Sequence, residues 1–250
     1  MRTRLCIATL VAVCLVCACK RQHHDVTRGF YYWKITYKLT AYEQRTLQQL
    51  DVQRMYVRMV GVDWNGGAKR IIPVAPVRLP ERMDTSLEYV PVVFITQNTL
   101  AHLHRGNTDS TAANISGLMQ ALCKQAGIHP KELQIDCDWT EKSKDAYFNL
   151  LEALKRQQYF NGKTVSCTIR MHQVKYDLSC GIPPVDKGLL MCYSMGNIKK
   201  YGAHNSILDV DEAKKYLRHL DNYRLSVDIA LPVFQWCVLF REQRFRGLMH

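Results

Sequence analysis

Seven short runs rich in β-branched and aromatic residues are spaced along this chain, with helical segments between most of them. That alternation constrains the fold most, because strands joined by helices pair in parallel within one sheet. The runs cover residues 30–37, 54–62, 89–96, 133–139, 164–170, 188–195 and 224–234. Between them, Thr40 and Glu43 have capping-box spacing for a helix reaching about residue 51. Further helices are expected over 111–126, stopped by Gly127, and over 142–157, with a short one near 172–177. Asp209 and Glu212 open one more, to about residue 220. Residues 68–88, rich in Pro and charge, yield no helix.

Two parallel α/β closures compete. A doubly wound sheet calls for a glycine-rich turn after an early strand, and no G-x-G-x-x-G is present. A TIM-barrel-like (β/α)8 fold suits about 250 residues and keeps its chemistry at the C-terminal strand ends. Polar and aromatic residues gather there: Trp33, Asp63 and Trp64, Gln97 and Asn98, Asp136 and Asp138, Arg170 and His172, Tyr193 and Ser194, Gln235 and Trp236. The barrel is the expected fold, and it is incomplete. Seven strands are recognised, and a hairpin over 237–240 and 245–248 stands where an eighth would close the ring, leaving the seventh strand as an edge.

The N-terminus reads as an export signal. Arg2 and Arg4 precede a 12-residue apolar run, residues 5–16, too short to cross a bilayer core of about 30 Å as a helix. The small residues that follow lead into Cys19, a pattern that resembles the bacterial lipoprotein signal. The resemblance implies cleavage after residue 18, lipidation of Cys19, a tether over 19–29 and a domain over 30–250, anchored to the bacterial cell envelope. His23 and His24 beside Asp25 fall in that tether and read as solvated. The formal charge of +12 becomes +10 once Arg2 and Arg4 leave with the signal. Such a surface favours anionic neighbours. Export and the lack of any zinc-finger, RRM-like or helix-turn-helix signature argue against nucleic acid. Of ten cysteines, Cys123, Cys137, Cys167, Cys180, Cys192 and Cys237 follow the anchor; none has zinc-site spacing, and mostly buried thiols are expected. No cofactor or metal site is expected.

Strand alternation puts Gln134, Asp136 and Asp138 on one face of the fourth strand. The same rule groups Arg58 with Tyr56 and Val60, Arg170 with Ser166 and Thr168, and Asp228 with Ala230. Two carboxylates about 7 Å apart on one face raise the pKa of one of them unless an arginine separates them, an arrangement suited to acid/base work.

Ile135-Asp136-Cys137-Asp138-Trp139 resembles the D-x-D-x-E signature of the chitinase-like family 18 glycoside hydrolases. Met191-Cys192-Tyr193 is similar to their Met-x-Tyr, and Ala230-Leu231-Pro232-Val233-Phe234 to their Gly-x-Pro-x-Tyr, in the same order. The chain is also similar to a family of uncharacterised bacterial lipoproteins with a glycosidase-like barrel, sharing Tyr31-Tyr32-Trp33 and Val62-Asp63-Trp64-Asn65. The resemblance implies a glycan or related polymer as partner. It also exposes a departure: the glutamate that donates the proton in those enzymes is replaced by Thr140, with Glu141 one position late.

Two functions follow. One is an exported glycan-binding protein that keeps the cleft of a hydrolase without its proton donor. The other is an active glycan hydrolase with Asp136 and Asp138 as acid/base centre. In both, the expected ligand-binding residues are Trp33, Arg58, Asp63, Trp64, Arg170, Tyr193, Gln235 and Trp236. Trp33, Trp64, Tyr193 and Trp236 suit stacking on sugar rings; the charged groups equally suit a paired ion network filling the barrel.

Overall fold

A computed structural model describes residues 26–202 and 205–249. The expected signal, Cys19 and residues 20–25 of the tether lie outside them. Seven parallel strands form one curled, open sheet, a half-barrel in the order β1 (Arg28–Tyr32), β2 (Val52–Asn65), β4 (Glu88–Ile95), β5 (Glu132–Asp136), β6 (Thr164–Arg170), β7 (Lys187–Met191) and β8 (Val227–Ala230). The expected incomplete TIM-barrel-like architecture is what the chain adopts. Among the described residues β8 pairs with β7 alone, and Ile229 beside the open edge is 57% exposed.

Helices cover the convex face: α1 (Ala41–Gln49), α2 (Gln97–His102), α3 (Arg105–Gln125), α4 (Lys144–Lys155), α5 (Met171–Lys175), α6 (Asp177–Cys180) and α7 (Val210–Leu217). Thr40 and Glu43 close the expected capping box on α1. α3 starts six residues before its expected position, because His104 and Asn107 cap each other's backbone N–H groups. It stops where expected: Gly127 adopts φ +65°, and the N–H of Ile128 reaches back to the Cys123 carbonyl at 2.8 Å. The core lies between helices and sheet, with Met55, Val57, Ile135, Cys167 and Ile169 against Tyr147, Leu151 and Leu154. Cys123, Cys137, Cys167, Cys180 and Cys192 are buried free thiols; Cys237 is exposed.

The structure differs from the sequence reading at several places. Residues 68–88 begin with β3 (Arg70–Val74), which folds back antiparallel on β2, so a hairpin replaces the helix of the second βα unit. A register shift between Arg58 and Val60 breaks strict alternation, and Val60 joins the helix-side core instead of sharing the face of Tyr56 and Arg58. β5 ends at Asp136 rather than at Trp139, because the Trp139 indole turns into the core, stacks on Tyr147 at 5.2 Å and donates to the Cys180 carbonyl at 3.0 Å. β7 and β8 are likewise shorter than expected. The terminal hairpin, β9 (Cys237–Arg241) with β10 (Arg244–Met249), forms a separate two-stranded sheet. Among the described residues no helix is long and apolar enough to cross a membrane.

Candidate functional site

The concave face of the sheet is polar along its middle, and β5 and β6 supply most of that polarity. Glu132, Gln134 and Asp136 occupy alternate positions of β5, and all three are buried; Ser166 and Thr168 do the same on β6. The N-terminal end of this face is an ion network. Glu132 receives Ser166 Oγ at 2.6 Å, Lys187 Nζ at 2.9 Å and Arg54 Nη1 at 3.5 Å. Arg54 also meets Glu88 at 3.1 Å, and Lys187 meets Asp228 at 2.7 Å. Asp228 is therefore committed to Lys187.

Above that network Tyr31 crosses the curl. Its hydroxyl, on β1, donates to Gln134 Oε1 on β5, and Gln134 Nε2 donates to Ser166 Oγ at 3.2 Å. The Tyr31 ring stacks on Tyr56, with centroids 4.8 Å apart. At the C-terminal end Thr168 Oγ1 donates to Asp136 Oδ1 at 2.6 Å. Burial pushes the Asp136 carboxyl up to about 6; the Thr168 bond opposes this, the Asp138 charge adds to it, and Arg170 and Arg58 offset part. Asp138, past the end of β5, is gripped by Arg170 through two bonds of 2.6 Å, Nε to Oδ1 and Nη2 to Oδ2. Gln173 holds both strand ends: its Oε1 accepts from the Arg170 N–H and its Nε2 donates to the Trp139 carbonyl, each at 2.7 Å. Burial raises Tyr193 and lowers His172, and the Arg170 charge further lowers His172.

The residues expected from sequence divide into three groups. Asp136, Asp138, Arg170, Arg58 and Tyr193 converge electrostatically on the concave face. Trp33, 45% exposed, joins them at the rim, stacked on Tyr31 at 6.0 Å and edge-on to Phe94 at 6.2 Å. Tyr193 meets Phe234 edge-on at 5.7 Å, and Phe234 packs on Trp236 at 5.2 Å, whose indole donates to Ser206 Oγ at 3.2 Å; Gln235 beside it is exposed. The third group stands on the extension of β2. Asp63 accepts from Thr96 Oγ1 (2.6 Å), the Trp64 N–H (2.8 Å) and Asn98 Nδ2 (3.3 Å), and Trp64 stacks on His102 at 4.1 Å. These bonds hold the Asp63 carboxyl below the usual range, the Thr96 bond foremost.

Thr140 and Glu141 are exposed beyond the strand, where Thr140 bonds Ser143 ahead of α4. Sequence reasoning missed Tyr31, Phe94, Glu132 and Lys187. Tyr31 was reachable by alternation, since Tyr32 beside it packs into the helix-side core. Among the described residues no group of three or more His, Cys, Asp or Glu side chains is placed to hold a metal ion.

No protein-family profile and no curated protein matches this chain. Solved structures do. The spore cortex-lytic enzyme SleL of Bacillus cereus superposes with a TM-score of 0.53 at 13% identity, covering 89% of this chain and 55% of SleL. The C-terminal domain of a candidate chitinase from Desulfitobacterium hafniense DCB-2 gives 0.53 at 13% identity, covering 82% of this chain and 66% of that domain. The chain thus spans between about half and two thirds of these neighbours. At this identity the likeness is one of fold.

Proposed function

We propose that the concave face is a glycan-binding cleft without hydrolytic activity, on an exported protein anchored to the bacterial envelope through lipidated Cys19. One observation carries the reading. Asp138, the best-placed second carboxyl, is locked to Arg170 by two bonds of 2.6 Å while Thr140 stands outside the cleft, so the face offers recognition without a free carboxyl pair. Glycosidases of the usual kind need two carboxyl groups about 5–9.5 Å apart with the bond between them. What remains suits sugar binding: an exposed indole beside a floor of hydrogen-bonding groups. The names of the two structural neighbours, a cortex-lytic enzyme and a chitinase, agree with a glycan as ligand.

Trp33→Ala is expected to weaken oligosaccharide binding by about tenfold or more through loss of stacking, with little change in thermal midpoint. Titration calorimetry with chitin and peptidoglycan oligosaccharides measures this; equal affinity for both proteins removes Trp33 from the site. The raised Asp136 carboxyl favours a second reading, an active hydrolase with Asp136 as proton donor. Release of shortened oligosaccharides by the wild type, abolished in Asp136→Asn, would establish it. For the anchor, Cys19→Ser is expected to move the protein from the membrane to the soluble fraction of cells. A variant that stays with membranes refutes lipidation at Cys19.

A further inference from the structure

Among the described residues the arginine and lysine side chains of the concave face are ion-paired, with one exception. Arg54 is held by Glu88 and Glu132, Lys187 by Glu132 and Asp228, and Arg170 by Asp138. Arg58 is half-buried, and among the described residues its guanidinium makes no hydrogen bond or ion pair; its tie to Asp136 is a longer-range attraction. Arg58 shares the sheet row of Val92 and Gln134, and the row above runs Gly61, Phe94, Asp136. Gly61 shapes the place it occupies: a Cβ there would lie 2.8 Å from Arg58 Nη2 and 2.9 Å from Val74 Cγ2. Phe94, next in that row, carries the edge of Trp33.

A partly desolvated guanidinium with unused donors is unfavourable by itself, and a planar carboxylate matches its fork with two bonds. Neutral hydroxyl groups would be served as well by an amide side chain, without a buried charge. We infer that Arg58 reads a carboxylate on the bound glycan, so the cleft takes an acidic saccharide, one bearing uronate or an equivalent sugar acid, in preference to a neutral one. This rests on the glycan-binding reading above and adds to it the class of sugar and the residue that selects it.

The test uses two probes of equal length at low ionic strength and pH 7: a neutral tetrasaccharide of N-acetylglucosamine and a tetrasaccharide alternating N-acetylglucosamine with glucuronate. Titration calorimetry on the wild type should show the acidic probe bound about tenfold or more tightly. In Arg58→Gln the ratio of the two affinities should fall to near one. Arg58→Lys, which keeps the charge and the length of the chain, should retain part of the preference, and it also serves if the glutamine variant folds poorly. Equal affinities in the wild type overturn the inference and leave glycan binding intact, as does a preference that survives in Arg58→Gln. Binding of neither probe overturns the glycan reading and this inference with it.

Discussion

Glu132→Gln is expected to destabilise the fold by about 3 kcal/mol, the lower end of the range for breaking a buried ion pair by removing one partner. The side chain of Glu132 is 4% exposed and serves Lys187, Arg54 and the Ser166 hydroxyl together. Glutamine fills the same space and still accepts from Ser166. It leaves two cations short of a counter-charge. Arg54 keeps Glu88 and Lys187 keeps Asp228, which is why the lower end applies. Urea denaturation should show a lower midpoint with an unchanged slope. Glu88→Gln and Asp228→Asn, made at the more exposed ends of the network, should each cost under about 1 kcal/mol. A Glu132→Gln effect no larger than theirs would show that the network contributes little.

Asp136→Asn acts in the opposite direction and is expected to stabilise the protein at pH 8. The carboxyl titrates at about 6 in the folded chain, above its unfolded value of about 3.9, so its proton favours the native state. Its contribution is fully present below about pH 4, is lost as pH rises through about 6, and leaves the wild type carrying a cost on the order of 3 kcal/mol at pH 8. Asparagine keeps the oxygen that accepts from Thr168 and has no charge to bury. Denaturation of both proteins at pH 4 and pH 8 measures the effect. The wild type should lose stability across that interval much more than Asp136→Asn. Asp63 and Asp186, whose carboxyls are held low, act in the reverse sense, their stability being lost as pH falls below about 4. A variant less stable than the wild type at pH 8 would mean that the ionised carboxylate is held by something stronger than the Thr168 bond.

The parallel order was legible because each strand announces itself by composition and three of the crossovers by a cap or stop, at Thr40 and Glu43, Gly127, and Asp209 and Glu212. Period-two alternation placed Gln134 with Asp136 and Thr168 with Arg170, and β6 matches its expected bounds residue for residue. The same rule failed for Val60, where an extra residue in β2 shifts the register; nothing in Arg58-Met59-Val60 signals it. Asp138 shares the expected polar side with Asp136 but reaches it from a loop, since Trp139 finds more burial in the core than the ladder offers. The hairpin at β3 was unreadable as a helix because it is none, and its strand is short and interrupted by Pro73. Glu132, Arg54 and Lys187 meet across strands that are not all neighbours, as do Tyr31 and Gln134. Such contacts depend on how tightly the sheet curls, a property of the assembled layer and not of any one segment.

The open order of the sheet bears on how the chain assembles. A closed ring must bring its last strand to its first, and here β1 and β8 stand roughly 200 residues apart, so closure would add the entropy of a very long loop. This sheet contains no such step. Each parallel strand joins the one before it, across separations of tens of residues, so each addition closes a much shorter stretch of chain. A sheet built this way ends as it grew, with its newest strand still able to accept another. Ile229, Leu231 and Val233, exposed on and just beyond β8, mark that growing end in the finished molecule. What propagates folding within one chain is available at high concentration to a second, which makes protein concentration during refolding a determinant of yield.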